Sequence, residues 1–272
     1  MRHKICLFLL LLSSMVAKAD DGYRLWLKYD LIKNASVRAQ YLPFGQYIAY
    51  SSTDPVVQTA ARELQTGLQG LLGKSIRLQG TASAVPGGIS LELTTTPQPN
   101  LGSEGYTITT QNTRVKILAN TPSGLLYGTF ALLRKIQTAT PVSKIPETSV
   151  PRVQLRMLNH WDNTNGSIER GYAGASLWKW YELPETIDPR YRDYARANAS
   201  IGINAVVLNN VNASARFISR EYLLKVKAIA DVFKPYGIKV YLSVNFAAPR
   251  ILGKLKNSDP LEPAVRQWWV DK

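Results

Sequence analysis

The hydrophobic positions change period several times along the chain. Residues 47–51 form a short apolar run that predicts a strand. Val56, Ala60, Leu64, Leu68 and Leu71 then recur at helical spacing, with Asp54 placed to cap the helix, Pro55 at its first position and Gly73 to stop it. Ile76 and Leu78, and then Ile89, Leu91 and Leu93, alternate with polar neighbours as strands do. Residues 105–110 and 115–119 predict a hairpin about Gln111-Asn112. Thr121-Pro122 opens a second helix carrying Leu126, Phe130, Leu133 and Ile136. Two helices on one face of a small sheet make an α+β layer domain.

Residues 138–152 hold Pro141, Pro146 and Pro151 and read as a linker. Beyond them the rhythm becomes strand, helix, strand, helix, strand. Residues 153–158 predict a strand, Pro189–Ser200 a helix and 205–208 an apolar strand. Arg220–Phe233 predicts a helix with Leu223, Val226, Ala230 and Phe233 inward, and residues 238–244 a third strand; Pro263 opens a further helix. Repeated βα units with near-continuous apolar strands indicate parallel pairing. A closed (β/α)₈ barrel needs eight strands and about 250 residues. This half is therefore either a small open α/β sheet or the beginning of a barrel. In the second case Val206, Leu208, Val240 and Leu242 are expected to lose part of their cover.

The first nineteen residues stand apart. Arg2, His3 and Lys4 give a basic start, residues 5–12 an apolar run too short to span a bilayer, and Ala17-Lys18-Ala19 a small-x-small cleavage site. This is the pattern of a secretory signal peptide, which implies export to the periplasm or beyond the cell; the competing reading is an uncleaved anchor. The organisation expected is a signal at 1–19, an N-terminal domain at 20–137, a linker at 138–152 and a second domain at 153–272.

Of 272 residues, 45% are hydrophobic, which excludes wholesale disorder. The single cysteine, Cys6, lies in the signal, and there are two histidines, so neither a disulfide framework nor a His/Cys metal cage is expected, and no cofactor motif is present. Cleavage would remove Arg2, Lys4 and Lys18 and no acid, leaving 30 basic against 19 acidic side chains, +11. The basic residues are scattered without the aromatic-laced stripe of a nucleic-acid binder, so no nucleic-acid partner is expected and, after cleavage, no membrane.

In parallel α/β folds chemistry gathers at the carboxyl ends of strands. After the first strand come Asn159-His160-Trp161-Asp162-Asn163 and then Glu169-Arg170; after the second, Asn209-Asn210-Val211-Asn212; after the third, Asn245-Phe246-Ala247-Ala248-Pro249-Arg250. An indole beside amides suits a pyranose, whose apolar face it covers while its neighbours take the hydroxyls. Arg250 can hold a carboxylate bidentately. The competing readings make Trp161 a core residue, Glu169 and Arg170 a structural ion pair, and Arg250 a surface or structural arginine. Glycoside hydrolysis needs two flanking carboxyl groups, and the second and third strand ends supply none. With His160 the only histidine of the mature chain and no Gly-x-Ser-x-Gly, a Ser/His/Asp triad is disfavoured.

Leu158-Asn159-His160-Trp161-Asp162-Asn163, followed by Ser167-Ile168-Glu169-Arg170-Gly171-Tyr172-Ala173-Gly174, closely resembles the signature of family-67 α-glucuronidases. Gly124-Leu125-Leu126-Tyr127-Gly128, Leu208-Asn209-Asn210-Val211-Asn212-Ala213, Val244-Asn245-Phe246-Ala247-Ala248-Pro249, Asp259-Pro260-Leu261 and Gln267-Trp268-Trp269 extend the similarity over the mature chain. The resemblance implies an α/β protein: an N-terminal α+β domain like that of hexosaminidases, then about three βα units of a TIM barrel left incomplete. It implies an inverting glycoside hydrolase that removes (4-O-methyl-)glucuronic acid from xylan-derived glucuronoxylo-oligosaccharides. Trp161 would stack on the uronic acid and Val211 would lie near the 4-O-methyl group, with Asn163, Asn210 and Arg250 in support. The family's catalytic carboxylates come from later barrel strands, past Lys272, so no catalytic residue is expected in this chain and no hydrolysis by it alone. The alternatives are a non-catalytic carbohydrate-binding module and a half-enzyme completed by a second chain.

Overall fold

The computed structural model of the protein describes residues 20–80, 86–210, 212 and 214–272. The expected signal peptide and Val211 lie outside the described residues.

Most of the expected elements form where capping chemistry and apolar spacing agree. α1 (Ala35–Tyr41), which is not among the expected elements, is capped by Asn34, whose side chain accepts from the Ser36 and Val37 N–H groups. α2 (Pro55–Leu72) starts on the Asp54 carboxylate and stops at Gly73, which takes φ +66°. α3 (Pro122–Gln137) is capped by Thr121, α4 (Pro189–Ser200) by Asp188 and α5 (Arg220–Phe233) by Ser219. Each such cap contributes about 1 kcal/mol. The short α6 (Ala248–Ile251) and α7 (Pro263–Asp271) follow.

The first sheet comprises β1 (Tyr47–Ala49), β2 (Arg77–Gln79), β3 (Gly88–Leu93), β4 (Tyr106–Gln111), β5 (Arg114–Ala119) and β6 (Glu147–Ser149) in the order β2-β1-β3-β5-β4-β6. β2, β1, β3 and β5 are mutually parallel, while β4 is antiparallel to both β5 and β6. The parallel share exceeds what an α+β layer suggests; between β1 and β2 it follows from the helical crossover, which returns the chain in the same direction. Within the proline-rich strip Ile145 is fully buried and β6 is an edge strand of this sheet, so the strip is part of the first layer.

The second sheet is β7 (Met157–Asp162), β8 (Ala205–Asn209) and β9 (Lys239–Tyr241), parallel throughout in the order β7-β8-β9. β7 begins four residues later than the alternation at residues 153–158 predicts. Arg156 prevents an earlier start: its guanidinium binds the carbonyls of Val153 and Gly202, and its N–H donates to the Asn204 side chain. Val153 and Leu155 are left exposed. His160, Trp161 and Asp162 thereby fall inside the strand.

One continuous apolar cluster runs from Ile48 and Leu64 through Leu133 and Tyr191 to Val206 and Phe233. It places α2 and α3 on the first sheet and α4 and α5 on the second, with the two helical layers back to back. The inward face of α5 is Tyr222, Ile229 and Phe233, whereas Leu223 is exposed, a rotation of the face expected from spacing. Val206 and Leu208 are buried against the helices, so it is not they that lack cover. The uncovered side is the one that carries Asn159, Val207 and Tyr241. Among the described residues no helix is long and apolar enough to cross a membrane.

Candidate functional site

Trp161 stands on the uncovered side of β7, near its carboxyl end, with 44% of its surface exposed. That exposure removes the core-residue reading. Its backbone carbonyl accepts two hydrogen bonds from two different loops, from Glu169 N–H at 2.8 Å and from the Asn210 side-chain amide at 3.3 Å. In the amide orientation that satisfies both its atoms, Asn159 accepts from the indole N–H at 3.3 Å. The ring is therefore held at its polar edge while much of the residue stays open to solvent, an arrangement that suits a pyranose.

The loop after β7 is wound around Asn163. Its N–H donates to Ser167 O (2.9 Å), and its side-chain amide donates to Ser167 Oγ (3.0 Å) and to Glu169 O (2.7 Å). Glu169 is held at φ +56°, a left-handed conformation that costs a non-glycine residue energy. No ion pair joins Glu169 to Arg170 or to any other described residue, so the ion-pair reading fails. Asn210 is buried, and its side-chain Oδ1 accepts from Asn212 N–H at 2.7 Å. Beside it Asn209 pairs both ways with Ser243, donating to its carbonyl at 2.9 Å and accepting from its N–H at 3.0 Å. These amides extend the sheet's hydrogen bonding past the strand ends. Asn163 and Asn210 are thus engaged in holding Trp161 rather than left free. Arg250 lies on α6, exposed, with its backbone N–H on Ser258 Oγ; no hydrogen bond or ion pair joins its guanidinium to Trp161, Asn163 or Asn210.

On the opposite side of β7 a second set of polar groups is enclosed by the helices. The Ser176 hydroxyl donates to Asp162, which is 1% exposed; the other Asp162 oxygen lies 3.6 Å from His160 Nδ1, and His160 Nε2 shares a hydrogen bond of 2.7 Å with Tyr194 Oη. Burial pushes the Tyr194 hydroxyl up to about 12. The serine rests on the carboxylate and the imidazole on a tyrosine, so no nucleophile–base pair exists here. Asp162 and Glu169 do not form a facing pair either, because Asp162 is turned into the helical layer. Among the described residues no group of three or more His, Cys, Asp or Glu side chains could hold a metal ion. The polar run around Trp161 in the sequence includes Asn159, but no residue type in it marks the bond to the indole or the latch role of the Glu169 N–H.

Residues 25–132 match the family model described as the glycosyl hydrolase family 67 N-terminus, and residues 135–272 that described as the family 67 middle domain. Alpha-glucuronidase A of Aspergillus tubingensis is 37% identical over 277 residues, covering 97% of this chain and 32% of its own length. Alpha-glucuronidase A of Emericella nidulans is 36% identical over 280 residues, covering 96% of this chain and 33% of its own. The chain spans about a third of the length of these curated relatives. Among solved structures, a family GH115 4-O-methyl-alpha-glucuronidase with specificity for decorated arabinogalactans superposes with a TM-score of 0.57 at 18% identity, covering 85% of this chain and 34% of that one. A GH138 enzyme targeting pectin rhamnogalacturonan II gives 0.55 at 15%, covering 82% and 28%. At such identities the likeness concerns the fold.

Proposed function

The chain belongs to glycosyl hydrolase family 67, and from that premise we propose that it carries the sugar-recognition part of an α-glucuronidase acting on xylan-derived glucuronoxylo-oligosaccharides. The observation that carries this reading is the exposed indole of Trp161, fixed at its N–H and its carbonyl while 44% of the residue remains open to solvent. In this proposal Trp161 covers the apolar face of the (4-O-methyl-)glucuronic acid. Asn163 and Asn210 keep the platform in place, Arg250 takes the uronate and Val211 lies against the 4-O-methyl group. The first unit would be the hexosaminidase-like domain, and the second, with strands and helices in alternation, the opening of a (β/α)₈ barrel. The basic, apolar and small-residue order at residues 1–19 supports export.

Inverting cleavage requires an acid and a base on either side of the bond, about 6.5–9.5 Å apart. Asp162 is engaged inside the helical layer and Glu169 stands alone at the rim, so the chain recognises the sugar without cleaving it. Calorimetric titration with an aldouronic acid tests the reading. Binding that Trp161→Ala abolishes, with no glucuronic acid released, is expected; release of glucuronic acid by this chain, or binding indifferent to Trp161, would overturn it.

A second reading rests on the sheet itself. Tyr241, Val244 and Phe246 are 40%, 36% and 78% exposed, and β9 is a sheet edge. A polypeptide supplying further parallel strands would cover them, making this chain one half of a split enzyme. Co-expression with such a polypeptide would then yield a stoichiometric complex on gel filtration.

A further inference from the structure

Trp26 presents a second open indole, far along the chain from Trp161 and in a different setting. Its N–H donates to Ser200 Oγ at 2.7 Å, and that hydroxyl in turn donates to Ala197 O at 2.6 Å, so the ring is fixed against the end of α4. Its polar atom is satisfied, yet 47% of its surface remains exposed. It forms one wall of a cavity of about 340 Å³, with Leu27, Tyr29, Phe130 and Ile201 as the apolar lining and Arg134 at the rim. An adjoining cavity of about 200 Å³ shares Arg134, Ser200 and Ile201, so the two make a groove along the seam where α3 meets the end of α4. The first cavity alone reaches the size of ordinary small-ligand sites.

The charge at this groove is unbalanced. Arg134 is exposed and makes no ion pair with a described residue. The nearby acids are already taken: Glu104, which lines the second cavity, is paired with Arg156 at 2.6 Å, and Glu147 has Lys135 Nζ 2.7 Å from one oxygen and accepts from Tyr106 Oη at 2.9 Å on the other. Burial raises the Glu147 carboxyl, but these partners outweigh it and hold the group below the usual carboxylate range, so it stays ionised and committed to them. The groove thus combines a fixed flat aromatic face, an apolar floor in the first cavity, a more polar lining in the second and an exposed guanidinium that no ion pair occupies. A neutral apolar peptide would use the floor and leave the guanidinium unused; a small anion would use the guanidinium and leave the floor.

We propose that the Trp26–Arg134 groove is a second carbohydrate site, which holds a xylan chain with one sugar ring on the Trp26 indole and a uronate substituent on Arg134. The class of ligand rests on the reading given for the Trp161 site, but the groove lies on the helical seam, whereas Trp161 stands on the side of the second sheet away from the helices. Its effect would be to hold an acidic xylo-oligosaccharide on the protein in addition to the one on the Trp161 platform.

The test is a calorimetric titration of the full chain with an aldopentaouronic acid, xylopentaose and an oligogalacturonate, for the wild type and for Trp26→Ala, Trp26→Phe, Arg134→Gln and Trp161→Ala. Two classes of site are expected for the aldopentaouronic acid. Trp26→Ala should weaken one class about ten-fold, with Trp26→Phe keeping most of its affinity and so excluding loss of fold. Arg134→Gln should erase the preference for the aldopentaouronic acid over xylopentaose, and Trp161→Ala should leave this class unchanged. Binding unaffected by Trp26→Ala and Arg134→Gln would overturn the proposal, as would an oligogalacturonate binding as well as the aldopentaouronic acid. If only the class sensitive to Trp161 is missing, the groove stands and the reading of the Trp161 site falls.

Discussion

The Arg156 guanidinium and the Glu104 carboxylate meet at 2.6 Å across the seam between the two sheets, each side chain less than one-fifth exposed. The same Glu104 accepts from the Asn204 amide at 2.9 Å, and the guanidinium lies 5.7 Å from the Tyr127 ring centre. One carboxylate from the first unit therefore ties down the approach to β7 and the approach to β8 together. Because β7 carries Trp161 directly after this anchor, the interlayer contact also sets where the candidate platform begins.

Glu104→Gln should destabilise the protein by about 2 kcal/mol, the range for losing a charged partner of hydrogen bonds. Arg156→Met should cost at least as much, since it also frees the Val153 and Gly202 carbonyls. The double variant should cost less than the sum of the two, because either change alone leaves an unpaired charge. Urea unfolding of the four proteins measures the coupling; strict additivity would show that the pair does not act as a unit.

The elements easiest to read from sequence were those in which a cap, a helical period and a stop coincide. Asp54, the row from Ala60 to Leu71 and Gly73 specify α2 with no tertiary information. The start of β7 was harder, because Val153, Leu155 and Met157 alternate like a strand whereas Arg156 folds back on the carbonyls of its own approach. That contact depends on Gly202 and Glu104, both remote in sequence. The motif around Trp161 marked the candidate site, but the division of labour within it did not follow from residue types. Asn163 and Asn210 look like ligand-binding amides until their partners are known: Asn163 holds Ser167 Oγ and the carbonyl of Glu169, and Asn210 the carbonyl of Trp161. The sides of the second sheet were also hidden, since Val206 and Val207 are alike in chemistry and only the helical layer distinguishes them.

Gly124 lies in the first turn of α3, close against the chain entering β4 and the end of β5. A Cβ there would stand 2.5 Å from the Gly105 carbonyl oxygen and 2.8 Å from the Ala119 Cβ, neither of which is the far end of a flexible side chain. Gly124→Ala should therefore cost about 1–3 kcal/mol through overpacking, despite the better helix propensity of alanine. A Cβ at Gly80 would meet no atom of the described residues within 4 Å, and Gly80→Ala should change stability by no more than about 0.5 kcal/mol. Equal denaturation midpoints for the two variants would contradict the close helix–sheet approach.

Asp188 caps α4 and lies within ion-pair distance of Arg190 (2.9 Å) and Lys179 (3.0 Å). The Arg190 guanidinium, then the Arg190 N–H and then Lys179 hold its carboxyl far below the usual range. A carboxyl depressed on folding stabilises the folded state when ionised. Its contribution is complete above about pH 4, where the unfolded chain's aspartate is ionised, and drains away as the pH falls toward the folded value. Asp188→Asn keeps a capping oxygen and removes the titration. The difference in melting temperature between wild type and Asp188→Asn should be largest near neutrality and shrink below pH 4; a constant difference across that range would show that the charge is not what stabilises α4.

Trp161 and Trp178 lie near opposite faces of the same strand end and separate binding from stability. Trp178 is 1% exposed and packs against His160, Tyr191, Tyr194 and Phe233 at ring distances of 5.2, 5.3, 5.8 and 5.9 Å. Trp178→Ala should cost about 3–5 kcal/mol, as a large cavity in a packed cluster does. Trp161→Ala, at a half-open position, should cost no more than about 1 kcal/mol. Sugar binding should show a different pattern. Trp161→Ala removes it outright, while Trp178→Ala weakens it indirectly, by loosening the residue beside the platform. Trp178→Phe separates packing from hydrogen bonding. The Trp178 Nε1 has no partner among the described residues, so phenylalanine keeps an aromatic ring and removes a buried, unsatisfied donor. Trp178→Phe should thus recover most of both stability and binding. Sugar binding that stays at wild-type strength in a folded Trp178→Ala variant would show that the buried cluster plays no part in holding the platform.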